Sequence, residues 1–189
     1  MAEPHDVDRE APVLAHHEID IDAPLERVWA LHSHVAGWPE WQTEITEARI
    51  EGPFEPGTSF DWTSYGFSVR STIYDVDARS RVLWGGTAEG ITGIHEWLFS
   101  ETPGGVHVET NESFAGDPVK ADATSMQSML DGSLAAWLGH LKAAAEAKAT
   151  RRSDLPCASR PGSPGRRPAR GWELSTAVRA EALPSRTGR

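Results

Sequence analysis

A chain of 189 residues is long enough for one domain with a substantial core, and its eight Trp give that core an aromatic character. The formal net charge is −10 and unevenly spread: residues 151–189 hold nine Arg against three acids, a net of +6, which leaves −16 for residues 1–150. So acidic a body excludes nucleic acid and anionic membranes as partners, no apolar run is long enough for a membrane span, and a lone Cys157 excludes an internal disulfide.

The polar, acidic opening MAEPHDVDRE does not read as a signal peptide, so a cytoplasmic protein is expected, with residues 1–12 flexible. Leu14–Asp22 alternates, with Ile19 and Ile21 on one face, and predicts a strand. Pro24 opens the helix PLERVWALHS, in which Leu25, Val28, Trp29 and His32 recur at helical spacing. A second short helix over GWPEWQ brings Trp38 and Trp41 to the core. Six strands follow between turn signals: Ile45–Glu51, Thr58–Ser64, Phe67–Val76, Val82–Glu89, Ile91–Glu101 and Val106–Phe114. The last element is a long helix with Asp117 as N-cap, Pro118 as first residue, and a stripe of Met126, Leu130, Leu134, Trp137 and Leu141. Beyond it Pro, Gly, Ser and Arg dominate, so residues 13–149 are expected to form the domain and 150–189 a disordered basic tail.

Short turns make the strands antiparallel and set which residues face each other. Pairing Ser64 with Phe67 places Trp62 opposite Val69, Phe60 opposite Ser71, and Asp61 opposite Arg70 on the other face. Pairing Val76 with Arg81 places Ile73 opposite Trp84 and Ser71 opposite Gly86. Pairing Ala88 with Ile91 places Trp84 opposite His95 and Gly86 opposite Gly93. Pairing Glu101 with Val106 places Trp97 opposite Thr110 and His95 opposite Glu112. One inner face results, apolar except for Ser71, His95 and Glu112. Gly86 and Gly93 on it read either as space for a ligand or as a bend that lets the long helix approach.

The segments IDIDAPLERVWAL, GWPEW, VLWGG and SLAAWLGHLKAAAE stand in the order strand, two short helices, six-stranded meander and long helix. In these the chain resembles the polyketide cyclase/dehydrase branch of the START-like (Bet v 1-like) superfamily over residues 14–148. The resemblance implies an α+β helix-grip fold: a curved antiparallel meander sheet around a long C-terminal helix, with two short helices and an elongated cavity for a hydrophobic small molecule. That family has no single catalytic signature, so the resemblance assigns no catalytic residue.

The site is therefore read from register. Burying an imidazole or a carboxylate is costly without a partner, and His95 and Glu112 supply each other. The carboxylate is expected to favour a protonated imidazole. The pair reads either as a polar pin for strand register or as a general acid/base pair for cyclisation and dehydration. Phe60, Trp62, Ser71, Trp84, Trp97, Met126 and Met129 are the expected ligand-binding residues. His16-His17 and His32-x-His34 have no Cys, Asp or Glu at a matching ligand spacing, so no metal is expected, and without a phosphate-binding Gly loop or dinucleotide fingerprint no cofactor. The two functions in view are a cyclase/dehydratase acting on an aromatic or polyketide-type molecule and a non-catalytic carrier or sensor of a hydrophobic ligand or lipid.

Overall fold

A computed structural model describes residues 3–147; the expected basic tail and Cys157 lie outside the described residues. The elements run β1 (Val13–Ile21), α1 (Leu25–Ser33), a 3-10 segment (Val35–Glu40), β2 (Ile45–Ile50), β3 (Ser59–Ser64), β4 (Phe67–Asp77), β5 (Arg81–Ala88), β6 (Ile91–Thr102), β7 (Gly105–Ala115), α2 (Asp117–Ala121) and α3 (Ala123–Glu146). The strands form one antiparallel sheet in the order β1-β7-β6-β5-β4-β3-β2. This is the helix-grip fold, with α3 packed along the inner face and α1 and the 3-10 segment packed together beside Phe99.

The pairing of inner-face residues follows the turns. Trp62 faces Val69, Phe60 faces Ser71, Trp84 faces His95, Trp97 faces Thr110 and His95 faces Glu112. Asp61 and Arg70 meet on the outer face at 3.1 Å. One turn differs. Asp77, not Val76, pairs with Arg81, and an extra residue at Tyr74 forms a β-bulge that restores Ile73 opposite Trp84 and Ser71 opposite Gly86. The expected face is thus reached by a different route.

The closing helix is also interrupted. Asp117 is not the cap of the long helix but the first residue of α2, whose Val119 is fully buried. Asp122 breaks the run and caps α3, its carboxylate accepting from the Ser125 N–H at 3.1 Å. Asp122-x-x-Ser125 is a second start signal only six residues after Gly116. Leu130, Leu134, Trp137 and Leu141 are buried as the stripe requires. The described part of the N-terminal segment is tied down: Val7 is buried, Asp8 N–H donates to Ser113 Oγ at 3.0 Å, and the Arg81 guanidinium donates to the His5 carbonyl at 2.9 Å.

Candidate functional site

The middle of the sheet's concave face is filled with rings. Trp38 packs on Phe60, Trp62, Trp84 and Trp137 with centroids 5.4–6.3 Å apart. His95 sits between Trp84 at 4.7 Å and Trp97 at 5.0 Å, with Trp137 above it at 5.6 Å. Phe60, Trp84 and Trp97 are core residues, each at most 3% exposed. Ser71, also buried, accepts the Trp62 indole N–H at 3.0 Å and so positions that ring. His95 likewise has no exposed surface and does not line the cavity. Of the residues expected to meet a ligand, these five stand behind the site rather than in it.

The open space lies at one end, between β3–β7 and the first half of α3. It is a cleft of about 230 Å³ whose lining includes Trp62, Val69, Phe114, Leu130 and Trp137, with Tyr65, Phe67, Met126 and Met129 toward solvent. Tyr65, Phe67 and Met129 are exposed. Trp62, Met126, Met129 and Glu112 are the expected site residues that do line it. Val69 and Phe114 were legible as inner-face positions by alternation, and Leu130 and Trp137 as part of the helix stripe. Two hairpin turns, Tyr65-Gly66 and Glu89-Gly90, flank the cleft, all four residues at positive φ, the geometry of tight primed turns.

The two inner-face glycines serve different ends. A side chain at Gly86 would run into the carbonyl of Arg70, so glycine there permits close strand approach. A side chain at Gly93 would meet only the Phe114 ring edge at 3.2 Å and Glu112 Oε1 at 3.5 Å, so glycine there leaves room for the carboxyl.

Glu112 is the buried polar group of the cleft, 12% of its side chain exposed. Burial pushes its pKa up to about 8. His95 is held well below the ordinary imidazole value, by burial first and by His32 second. Both shifts run against the expected imidazolium–carboxylate pair: desolvation of each group favours its neutral form. Their protons follow from the neighbours. Thr110 Oγ donates to the Glu96 carbonyl at 3.1 Å, so it accepts from His95 Nε2–H at 2.6 Å. His95 Nδ1 then carries a lone pair and lies 3.4 Å from Glu112 Oε2, with no formed hydrogen bond between them. The carboxyl proton is free to turn toward the cleft.

A broader depression of about 600 Å³ near β2 and the β3–β4 hairpin is lined by Arg49, Asp61 and Arg70. Arg49 and Arg70 each pair with Asp61 at 3.1 Å.

Residues 12–146 match the family described as polyketide cyclase / dehydrase and lipid transport. No curated protein matches the sequence. The chain is similar in structure to a hypothetical protein from Helicobacter pylori, with TM-score 0.65, 19% identity, and 77% of this chain and 99% of that one covered. It is also similar to a START superfamily protein from Mycobacterium smegmatis, with TM-score 0.62, 10% identity and coverage of 70% and 97%. A third similar structure is the di-domain ARO/CYC StfQ from the steffimycin biosynthetic pathway, with TM-score 0.60, 15% identity, and 71% of this chain and 50% of that one covered. At these identities the likeness is one of fold.

Proposed function

The chain belongs to the polyketide cyclase/dehydrase and lipid transport family, and from that premise we propose that it binds a compact, ring-bearing hydrophobic molecule in the end cleft, with a carbonyl or phenol oxygen taken up by the Glu112 O–H. The observation that supports this reading is a buried carboxyl, its pKa pushed up to about 8 by burial, set into a largely apolar and aromatic wall whose other polar members are Ser64, Glu89 and Ser133. A carboxyl kept protonated near neutral pH donates a hydrogen bond that a carboxylate cannot. Size bears on the ligand. A dry cavity of roughly 150 Å³ holds benzene, and drug-sized ligands need about 300 Å³ or more. The cleft suits one or two rings, and a longer chain would emerge past Tyr65, Phe67 and Met129.

A chemical role rests on the same group. Glu112 would act as general acid, giving its proton to the oxygen of a forming alkoxide or of a departing hydroxyl during cyclisation and dehydration. His95 touches no ligand in this scheme; it stands behind the carboxyl, its Nδ1 3.4 Å from Glu112 Oε2. Favouring a carrier instead, the buried imidazole that would serve as base is walled off by Trp84, Trp97 and Trp137.

The test is quenching of the protein's Trp fluorescence by 2-naphthol, beside turnover of a linear polyketide mimic. Binding by the parent, weakened at least tenfold in Glu112→Ala, supports the cleft. Turnover lost in Glu112→Gln with binding retained supports the acid. No binding of naphthol at millimolar concentration would falsify the ligand class.

A further inference from the structure

The outer face of the β1–β7 pair carries a group of side chains that takes no part in the cleft. There His16, Glu18 and Asp20 of β1 stand opposite Asn111, Glu109 and His107 of β7. Glu18 and Glu109 face each other directly, and like charges so placed destabilise a sheet unless something positive lies between them. Two imidazoles aim at the same spot. His16 Nε2 lies 3.7 Å from Glu18 Oε2. His107 Nε2 lies 3.8 Å from that same oxygen and 3.9 Å from Glu109 Oε1. Ligand atoms of His16, Glu18 and Glu109 all fall within 4.8 Å of one another.

The neighbours fix which nitrogens carry protons. Asn111 Nδ2 donates to Glu96 Oε2 at 3.1 Å, which turns its Oδ1 toward His16 Nδ1 at 2.9 Å. An amide oxygen only accepts, so His16 Nδ1 bears the hydrogen. His107 Nδ1 lies 2.8 Å from Asp20 Oδ1, again an acceptor, and bears its hydrogen too. With Nε2 deprotonated, each ring offers a lone pair there, and both nitrogens face carboxylate oxygens; the hydrogen bond to Asp20 first, and then the charges of Asp20, Glu18 and Glu109, raise the pKa of His107, so an ion entering here displaces a proton from that ring. An imidazole whose Nδ1–H is held by a carboxylate or amide while Nε2 stays free is the arrangement found around metal-ligating histidines.

We propose that His16, His107, Glu18 and Glu109 form a binding site for a divalent first-row transition ion, with Zn²⁺ the best match. Two imidazole nitrogens and two carboxylate oxygens are a donor set that zinc accepts and that calcium or magnesium, which prefer oxygen alone, does not. Bonds of roughly 2.0–2.2 Å place tetrahedral ligand atoms about 3.3–3.6 Å apart. Three of the six ligand-atom separations are 3.7–3.9 Å; His16, Glu18 and Glu109 lie within 4.8 Å of one another and His107 stands outside that group, so closing the tetrahedron requires the partly exposed His107 ring to swing inward. Reading ligands only along the chain missed this group, because its members come from two strands about ninety residues apart and meet only through register. An ion there would clip the edge strand β1 to β7.

The experiment uses the full chain, stripped with chelator and titrated with ZnCl₂ by calorimetry at pH 7.5, with Co²⁺ absorption as a report of coordination. One equivalent of Zn²⁺, a tetrahedral Co²⁺ spectrum and a raised Tm are expected. His16→Ala and His107→Ala should each weaken uptake at least tenfold, as should Glu18→Gln combined with Glu109→Gln. Asp20→Asn, which reaches the ion only through His107, should weaken it about 10- to 100-fold. His140→Ala, remote from this face, should leave it unchanged. All these side chains are at least partly exposed, and circular dichroism checks that the variants fold. Absence of zinc uptake, with the imidazoles simply protonated between the carboxylates, overturns the proposal. Uptake that survives unchanged in His16→Ala and His107→Ala overturns it equally.

Discussion

Glu112 Oε2 and His95 Nδ1 stand 3.4 Å apart, and burial shifts each toward its neutral form, raising the carboxyl to about 8 and lowering the imidazole. Burial among Trp84, Trp97 and Trp137 decides this, because separating the charges there costs more than their attraction returns. The cleft consequently presents an O–H donor at neutral pH. Affinity for a naphthol or ketone probe should fall as pH rises through about 8. Glu112→Gln, which cannot ionise, should bind with no such inflection. A parent affinity that stays flat from pH 6 to 9 would remove Glu112 from ligand recognition.

The same proton enters stability with a definite sign. The carboxyl titrates near 4.5 when unfolded and at about 8 when folded. Its neutral form is raised in pKa by folding, so its contribution is complete below 4.5 and is lost as pH climbs from 4.5 to 8. Urea denaturation should show Glu112→Gln gaining on the parent over that window, by at most about 1.4 kcal/mol per pH unit. An equal difference at pH 5 and pH 8 contradicts it.

His32 works in the opposite direction. It is fully buried against Trp97 and Phe99, with centroids 4.7 and 5.2 Å away, and neither ring nitrogen has a partner. Burial lowers its pKa from 6.5 to about 3. Folding is thus favoured by the neutral ring above 6.5, and that contribution is lost as pH falls from 6.5 toward 3. His32→Phe should flatten the acid limb of the stability curve, measured as Tm at pH 4 against pH 7. An unchanged acid limb would mean that other groups, His95 first among them, set it.

The two glycines of the inner face should separate stability from binding. Gly86→Ala pushes a methyl into the backbone carbonyl of Arg70 and should cost about 1–3 kcal/mol in denaturant. Gly93→Ala meets only the movable Phe114 ring and the Glu112 carboxyl, so it should cost under about 1.5 kcal/mol while weakening naphthol binding several-fold. Equal stability losses in both variants would refute the distinction.

The break before α3 gives a further contrast. Asp122→Ala removes the acceptor for the Ser125 N–H and should destabilise by about 1 kcal/mol. Asp117→Ala, whose side chain caps nothing, should cost less. The reversed order would restore a single helix starting at Asp117.

Much of this arrangement was legible in the sequence, and the exceptions have physical causes. Turn lengths gave the partners of the inner-face residues at the β3–β4, β5–β6 and β6–β7 hairpins, since a one-residue slip would turn each side chain over; at β4–β5 the turn was off by one residue, and the bulge at Tyr74 restored the expected partners. The break at Asp122 was hidden by an unbroken apolar stripe downstream of it. The position of the cleft was hidden as well. Alternation tells which face Trp62 and Trp84 occupy, but not that their rings fill its centre and leave space only beside Met126 and Phe114. The protonation of His95 and Glu112 depends on that filling and could not be read before it.

The supernumerary residue at Tyr74 acts as a slip joint between the hairpin tip and the packed length of β4. Upstream of it, Ile73 and Ser71 are held in phase with Trp84 and Gly86; downstream, the Asp77–Arg81 end keeps its own phase. A relative with a tip shorter by one residue can take up the difference here, without rotating a single ring out of the interior. Length changes at this tip are therefore the ones the architecture should tolerate most readily.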